Sequence, residues 1–189
     1  TRVRQRHPAA ACERASVDGA VRVIVVTGAG KAFCAGMDLS VGGNVFGLDE
    51  NQSPTLQDVR ERLEDPAIHR GVRDTGGRVA LAMYACRKPI VGAINGAAVG
   101  IGATMTLPMD FRFASEKARI GFVFGRLGIT PEACSTWFLP RIVGISQALE
   151  WVYTAEILKA EDALAGRFVK AVVPADQLLE EAYKIARRI

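Results

Sequence analysis

Lys88 to Asp110, KPIVGAINGAAVGIGATMTLPMD, constrains the fold more than any other stretch. Residues 89–94 are apolar and read as a buried strand, broken by Asn95-Gly96. A run of small residues then leads through Gly100, Ile101 and Gly102 into a helix start. Small residues at a strand-to-helix junction let a ligand approach the backbone closely. The first N–H groups of a helix have no partner within it and carry partial positive charge. Such a turn suits an oxygen that becomes negative during a reaction; a tight turn with glycines only for packing is the alternative.

Around this stretch, apolar strands alternate with amphipathic helices. Residues 21–27, VRVIVVT, form a β-branched strand. The Gly28-Ala29-Gly30-Lys31 turn after it lacks P-loop spacing, and Phe33 stands where a dinucleotide fingerprint needs its third glycine. Residues 41–70 are polar, with a loop and a short exposed helix, in a position that shapes a pocket or merely skirts the surface. Val79, Ala82, Met83 and Cys86 recur at helical spacing over residues 72–86, and Pro89 is the stop. A short helix is expected over 9–15, strands over 111–114, 118–122 and 169–173, and helices from Ser146 and over 160–164. Thr130 as N-cap, Pro131 at the first position and Glu132 in the first turn predict another helix. Residues 176–189 are amphipathic, with an apolar face at Leu178–Ile185. The alternation predicts an α/β domain with a mainly parallel sheet.

Length and charge narrow the function. The 189 residues suit one domain, 1–189, and 49% apolar with 23% charged residues argues against disorder. The net charge of +4 is scattered except at Arg2, Arg4, Arg6, Arg187 and Arg188; no basic stripe carries aromatics, so nucleic acid is not an expected partner. An anionic small molecule fits better. The 4 cysteines form no CxxC, and only His7 and His69 are available for a metal site or a histidine triad, so no metal is expected. No run is long enough to span a membrane and no signal-peptide pattern appears, so a cytoplasmic location is expected.

KAFCAGMDL, INGAAVGIGATMTLPMDFRFASEKARIGF, GITPEACSTWFLPRIVG and ALAGRFVKAVVP, in that order, resemble the crotonase superfamily, the enoyl-CoA hydratase/isomerase family. The likeness runs from about Val21 to the end. It implies a spiral of repeated ββα turns with two roughly perpendicular sheets, an acyl-CoA thioester as substrate, and a homotrimer or dimer of trimers. Coenzyme A enters as part of the substrate, and no other cofactor is implied. By the resemblance, two backbone N–H groups stabilise the thioester enolate: Met37, just before the Asp of the AGxD motif, and Ile101, where many relatives have glycine. Ala35, Met37, Asp38, Leu39 and Ser40 match the segment that contacts coenzyme A.

The sequence also departs from the family pattern. The two glutamates used by hydratases are replaced by Thr104 and Phe124, neither of which exchanges protons at neutral pH as a carboxylate does. Glu132 matches the position used as the single base by peroxisomal-type Δ3,Δ2-enoyl-CoA isomerases. Moving a double bond from C3 to C2 needs one base that removes a proton at C2 and returns it at C4. Ala133, Trp137 and Phe138 are expected to desolvate Glu132 and raise its pKa, while a helix N-terminus would lower it. Asp38 and Asp110 read as structural. The resemblance thus implies an enoyl-CoA isomerase, with enoyl-CoA hydratase or another CoA-thioester lyase, and a non-catalytic acyl-CoA-binding subunit, as alternatives. Relative to the family, the first strand pair and last helices are missing, which predicts an uncovered apolar face on the last helix.

Overall fold

The computed structural model describes residues 8–38, 40, 43–44 and 46–189; Arg2, Arg4, Arg6, His7 and Leu39 lie outside the described residues. The chain begins with α1 (Pro8–Val17) and β1 (Ile24–Thr27). The polar stretch that follows contains α2 (Leu56–Glu61) and α3 (Pro66–Val72), capped by Thr55 and Asp65. The helix expected over 72–86 starts later. Arg73 is extended, and Asp74 caps α4 (Thr75–Tyr84) by accepting from the Gly77 N–H.

β2 (Ile90–Ile94) comes next, and then a strand that the sequence reading merged into the small-residue run, β3 (Ala97–Val99). α5 (Ile101–Thr104) is a single turn. β4 (Phe111–Ser115), β5 (Arg119–Gly121) and a 3-10 helix at Val123–Leu127 follow. The remainder is α6 (Ser135–Val143), α7 (Ile145–Thr154), β6 (Ile157–Lys159), α8 (Ala160–Ala165), β7 (Ala171–Val173) and α9 (Leu178–Ala186).

β1, β2, β4 and β7 pair in that order as a parallel sheet. A second sheet joins β3 and β5 in parallel and β5 and β6 antiparallel. Every residue of β2 is buried, because both of its edges are paired and both faces are covered. Ile90 packs with Val79 and Met83 of α4. Val91 and Ala93 face Leu178 and Ala182 of α9. The apolar face of α9 is therefore covered by the sheet, contrary to expectation: burial of Leu178 and Ala182 ties the C-terminal helix down. The third cluster joins Ile94 and Ile120 to Leu139, Trp151 and Phe168. Within it Phe122 stacks on Trp151 at 6.1 Å and meets Phe168 edge-on at 5.8 Å. Asp110 has the structural role expected of it: its carboxylate accepts from the Ile90 N–H at 2.7 Å, fixing the chain that leads into β4.

Candidate active site

A single backbone bridge ties the loop that carries Met37 to the strand that leads into Ile101. Cys34 forms a parallel bridge with Ala98, through Cys34 N–H to Ala97 O and Val99 N–H to Cys34 O, each 3.0 Å. Beyond this bridge Gly36 leaves extended backbone at φ 111°, and Met37 and Ile101 line the same cavity. Gly100 turns the chain from β3 into α5 with φ 56° and ψ −123°, which a residue with a Cβ rarely adopts. Gly102 lets that turn settle on the loop: an added Cβ would lie 1.8 Å from the Cys34 carbonyl oxygen. Among the described residues no backbone carbonyl accepts from the Met37 or Ile101 N–H. Because α5 is one turn long, what it offers a ligand is its first N–H rather than a long helix dipole.

Glu132 does not sit in a helix. The predicted helix start at Thr130-Pro131 is displaced: Ala133 and Cys134 both take left-handed backbone, with φ 55° and 58°, and α6 begins only at Ser135. Left-handed non-glycine residues cost on the order of 1–3 kcal/mol each and cluster at functional sites. Here they separate Glu132 from the helix, so the opposing pull of a helix N-terminus falls away.

The buried Thr104 hydroxyl donates to Glu132 Oε1 at 2.8 Å. Oε2 occupies space left by Gly76, whose added Cβ would lie 2.2 Å from it, 2.7 Å from Ile101 Cδ1 and 3.2 Å from Asp74 Oδ2. The Ile101 side chain thus packs toward α4. Burial pushes the Glu132 carboxyl up from 4.5 to about 7; the Thr104 bond opposes this, and Asp74 adds to it by charge and by hydrogen bonding. Asp74 is a residue the sequence reading missed. Its signal was an Asp before Gly76-Gly77, two glycines in a helical first turn where they disfavour helix.

Two cavities meet at Glu132. One, of about 330 Å³, is lined by Ala35, Met37, Ile101, Phe124 and Glu132 among others, and Glu132 is its only acidic lining residue among those described. The other, of about 430 Å³, holds Arg73, Asp74 and Cys134. Phe46 and Ile129 line both. The polar segment after β1 thus does shape the pocket, with the Thr75 N–H to Phe46 O bond (3.0 Å) holding it to α4. Trp137 and Phe138, expected to desolvate Glu132, line neither cavity; Ala133 lines the second.

Asp38 and Ser40 sit outside both cavities. The Ser40 hydroxyl and N–H bond to the exposed Asp38 carboxylate and hold it below the usual range. Gly28-Ala29-Gly30 is a structural turn: Asn95 accepts from the Gly28 N–H at 2.9 Å and donates to Gly30 O at 2.8 Å. His69 is half-buried in α3. No helix among the described residues is long and apolar enough to cross a membrane.

The family profile described as Enoyl-CoA hydratase/isomerase matches residues 55–189. The chain belongs to the enoyl-CoA hydratase/isomerase family. Over 173 residues it is 41% identical to the enoyl-CoA hydratase ACTT3 of Alternaria alternata, covering 91% of this chain and 52% of that protein. An enoyl-CoA hydratase/isomerase structure from Pseudoalteromonas atlantica matches with TM-score 0.73 and 34% identity, over 96% of this chain and 63% of that one. A monofunctional enoyl-CoA isomerase from M. smegmatis matches with TM-score 0.70 and 27% identity, over 96% and 68%. The α/β architecture is thus that of the crotonase superfamily. The chain spans about half the length of curated relatives it matches.

Proposed function

We propose that this chain carries the acid/base centre of an acyl-CoA enzyme that shifts a Δ3 double bond to Δ2. The observation that carries this reading is that Glu132 is the sole acidic residue, among those described, in the cavity that Met37 and Ile101 line. The thioester oxygen accepts from the Met37 and Ile101 N–H groups. Glu132 removes the C2 proton, the negative charge moves onto that oxygen, and the same carboxyl returns a proton at C4. A pKa near 7 suits one group that must both accept and donate. Removing one oxyanion donor typically costs about 10²–10³ in rate. The reading extends to one acyl-CoA-binding domain over residues 1–189 that uses no cofactor beyond the substrate, assembles as a homotrimer or dimer of trimers, and works in the cytoplasm.

Hydration is the second reading. It is favoured by the name of the Alternaria relative and by Asp74, which sets a second carboxylate against Glu132. Incubation with trans-3-hexenoyl-CoA and with crotonyl-CoA separates the two. Formation of the 2-enoyl ester from the first, lost by at least about 10²-fold in Glu132→Gln, supports isomerisation. Rapid loss of enoyl absorbance from crotonyl-CoA without 3-enoyl conversion supports hydration. Undiminished isomerisation by Glu132→Gln would remove Glu132 from the mechanism.

A further inference from the structure

The proposed chemistry uses the cavity of Met37 and Ile101 and leaves the larger one without a role. That second cavity, about 430 Å³, has apolar walls at Phe46, Leu48, Val72 and Ile129, and one cation, Arg73. Arg73 follows the last residue of α3, and its N–H caps that helix at His69 O. Its Nε is buried and has no hydrogen-bond partner among the described residues. The ion pairs among those residues join Arg62 to Asp58 and Asp65, Lys184 to Glu181, and Arg187 to Glu180; Arg73 takes part in none.

The neighbouring acids do not absorb its charge. Glu132 is engaged by Thr104 and Asp74, and no cation draws its pKa down. Asp74 caps α4 through Gly77 and faces Glu132. Cys134, on the same wall, feels Arg73 as a neighbouring positive charge, although burial keeps its thiol raised. A buried donor left unmatched is uncommon in a folded protein and calls for an explanation.

Position supplies one. With the thioester oxygen at Met37 and Ile101 and the reacting carbons at Glu132, the rest of the acyl chain continues past Glu132 into the second cavity. We propose that this cavity takes the acyl tail, and that Arg73 recognises a carboxylate at its far end. The preferred substrates are then CoA thioesters of dicarboxylic acids rather than of simple alkanoic acids. A guanidinium fork matches a carboxylate in geometry and charge. This inference rests on the acyl-CoA reading above.

Saturated esters test it without any turnover. Adipoyl-CoA and hexanoyl-CoA have six-carbon acyl chains and differ at the far end by a carboxylate, and calorimetric titration measures each affinity directly. The unaltered chain binds adipoyl-CoA about tenfold tighter. Arg73→Met abolishes that preference while holding hexanoyl-CoA about as well as before, and Arg73→Lys, which keeps the charge but loses the fork, retains part of it. Equal binding of the two esters by the unaltered chain, or a preference that survives in Arg73→Met, overturns the assignment of Arg73. Binding of neither ester by the unaltered chain overturns the acyl-CoA reading itself, and this inference with it.

Discussion

Glu132→Gln should make the protein more stable at alkaline pH while removing the proposed isomerisation. In the folded chain the Glu132 carboxyl is raised from 4.5 to about 7, chiefly by burial. At about 1.4 kcal/mol per pH unit, that rise corresponds to about 3 kcal/mol. Glu132 is only half-buried, so solvent screening reduces the figure to about 1–2 kcal/mol. The folded state holds the proton more tightly than the unfolded state does. The contribution is therefore complete below pH 4.5 and is lost as pH rises through about 7. Above pH 8 the native chain keeps a charged carboxylate partly out of water. Glutamine carries no charge there and keeps both contacts: its oxygen accepts from Thr104, and its amide donates to Asp74. Urea unfolding at pH 8 should show Glu132→Gln more stable by about 1–2 kcal/mol, a melting-temperature gain of about 3–6 °C for a chain of this size. Below pH 4.5 the two proteins should converge. A variant no more stable than the native chain at pH 8, or a difference that ignores pH, would refute the argument that burial sets the Glu132 pKa.

Asp74→Asn isolates the neighbour's contribution. Asparagine caps a helix about as well as aspartate, so α4 should survive with little loss of stability. Without that negative charge the acid limb of the kcat–pH profile should move down from about 7 by roughly half to one pH unit; it should stop well short of 4.5, because burial remains the largest cause. A limb that stays in place would show that Asp74 only caps α4. Gly102→Ala tests the backbone approach that sets the N–H pair. Its Cβ would meet Cys34 O at 1.8 Å, and a backbone atom there cannot swing aside. Calorimetry should show a loss of about 1–3 kcal/mol or more, and kcat should fall at least about tenfold as Ile101 shifts; unchanged melting and turnover would refute the packing argument.

How much of this was legible follows from where each signal lies in the chain. β2 and α9 were readable because the burial of each is written in its own residues: an unbroken apolar run for a strand covered on both faces, and Leu178 with Ala182 on one side of a helix. β3 was not, because Ala97-Ala98-Val99 is chosen for close approach to Cys34 and β5, and small residues read equally well as a helix start. The Ala133-Cys134 turn was hidden because neither residue advertises left-handed backbone as glycine or asparagine does. Met37, Ile101 and Glu132 were named through the resemblance their motifs bear to the family, and the fold gathers all three around one cavity. Asp74 escaped because its sequence says only N-cap; its second role exists only once the start of α4 meets the loop before α6.

That meeting also changes what Thr104 means. Read as a sequence, position 104 lacks the carboxylate that the resemblance to hydratases implies there, and Glu132 stands as a separate replacement downstream. In the fold the two positions touch: the Thr104 hydroxyl, with no solvent exposure, donates to Glu132 Oε1 at 2.8 Å. A carboxylate at 104 would face Glu132 across the same gap, and two like charges so close in a buried site cannot both ionise. A hydroxyl avoids that conflict and fixes one oxygen of Glu132, while Gly76 makes room for the other. Threonine at 104 and glutamate at 132 therefore form one arrangement. With a hydroxyl at 104, Asp74 is the one other carboxylate acting on Glu132 among the described residues.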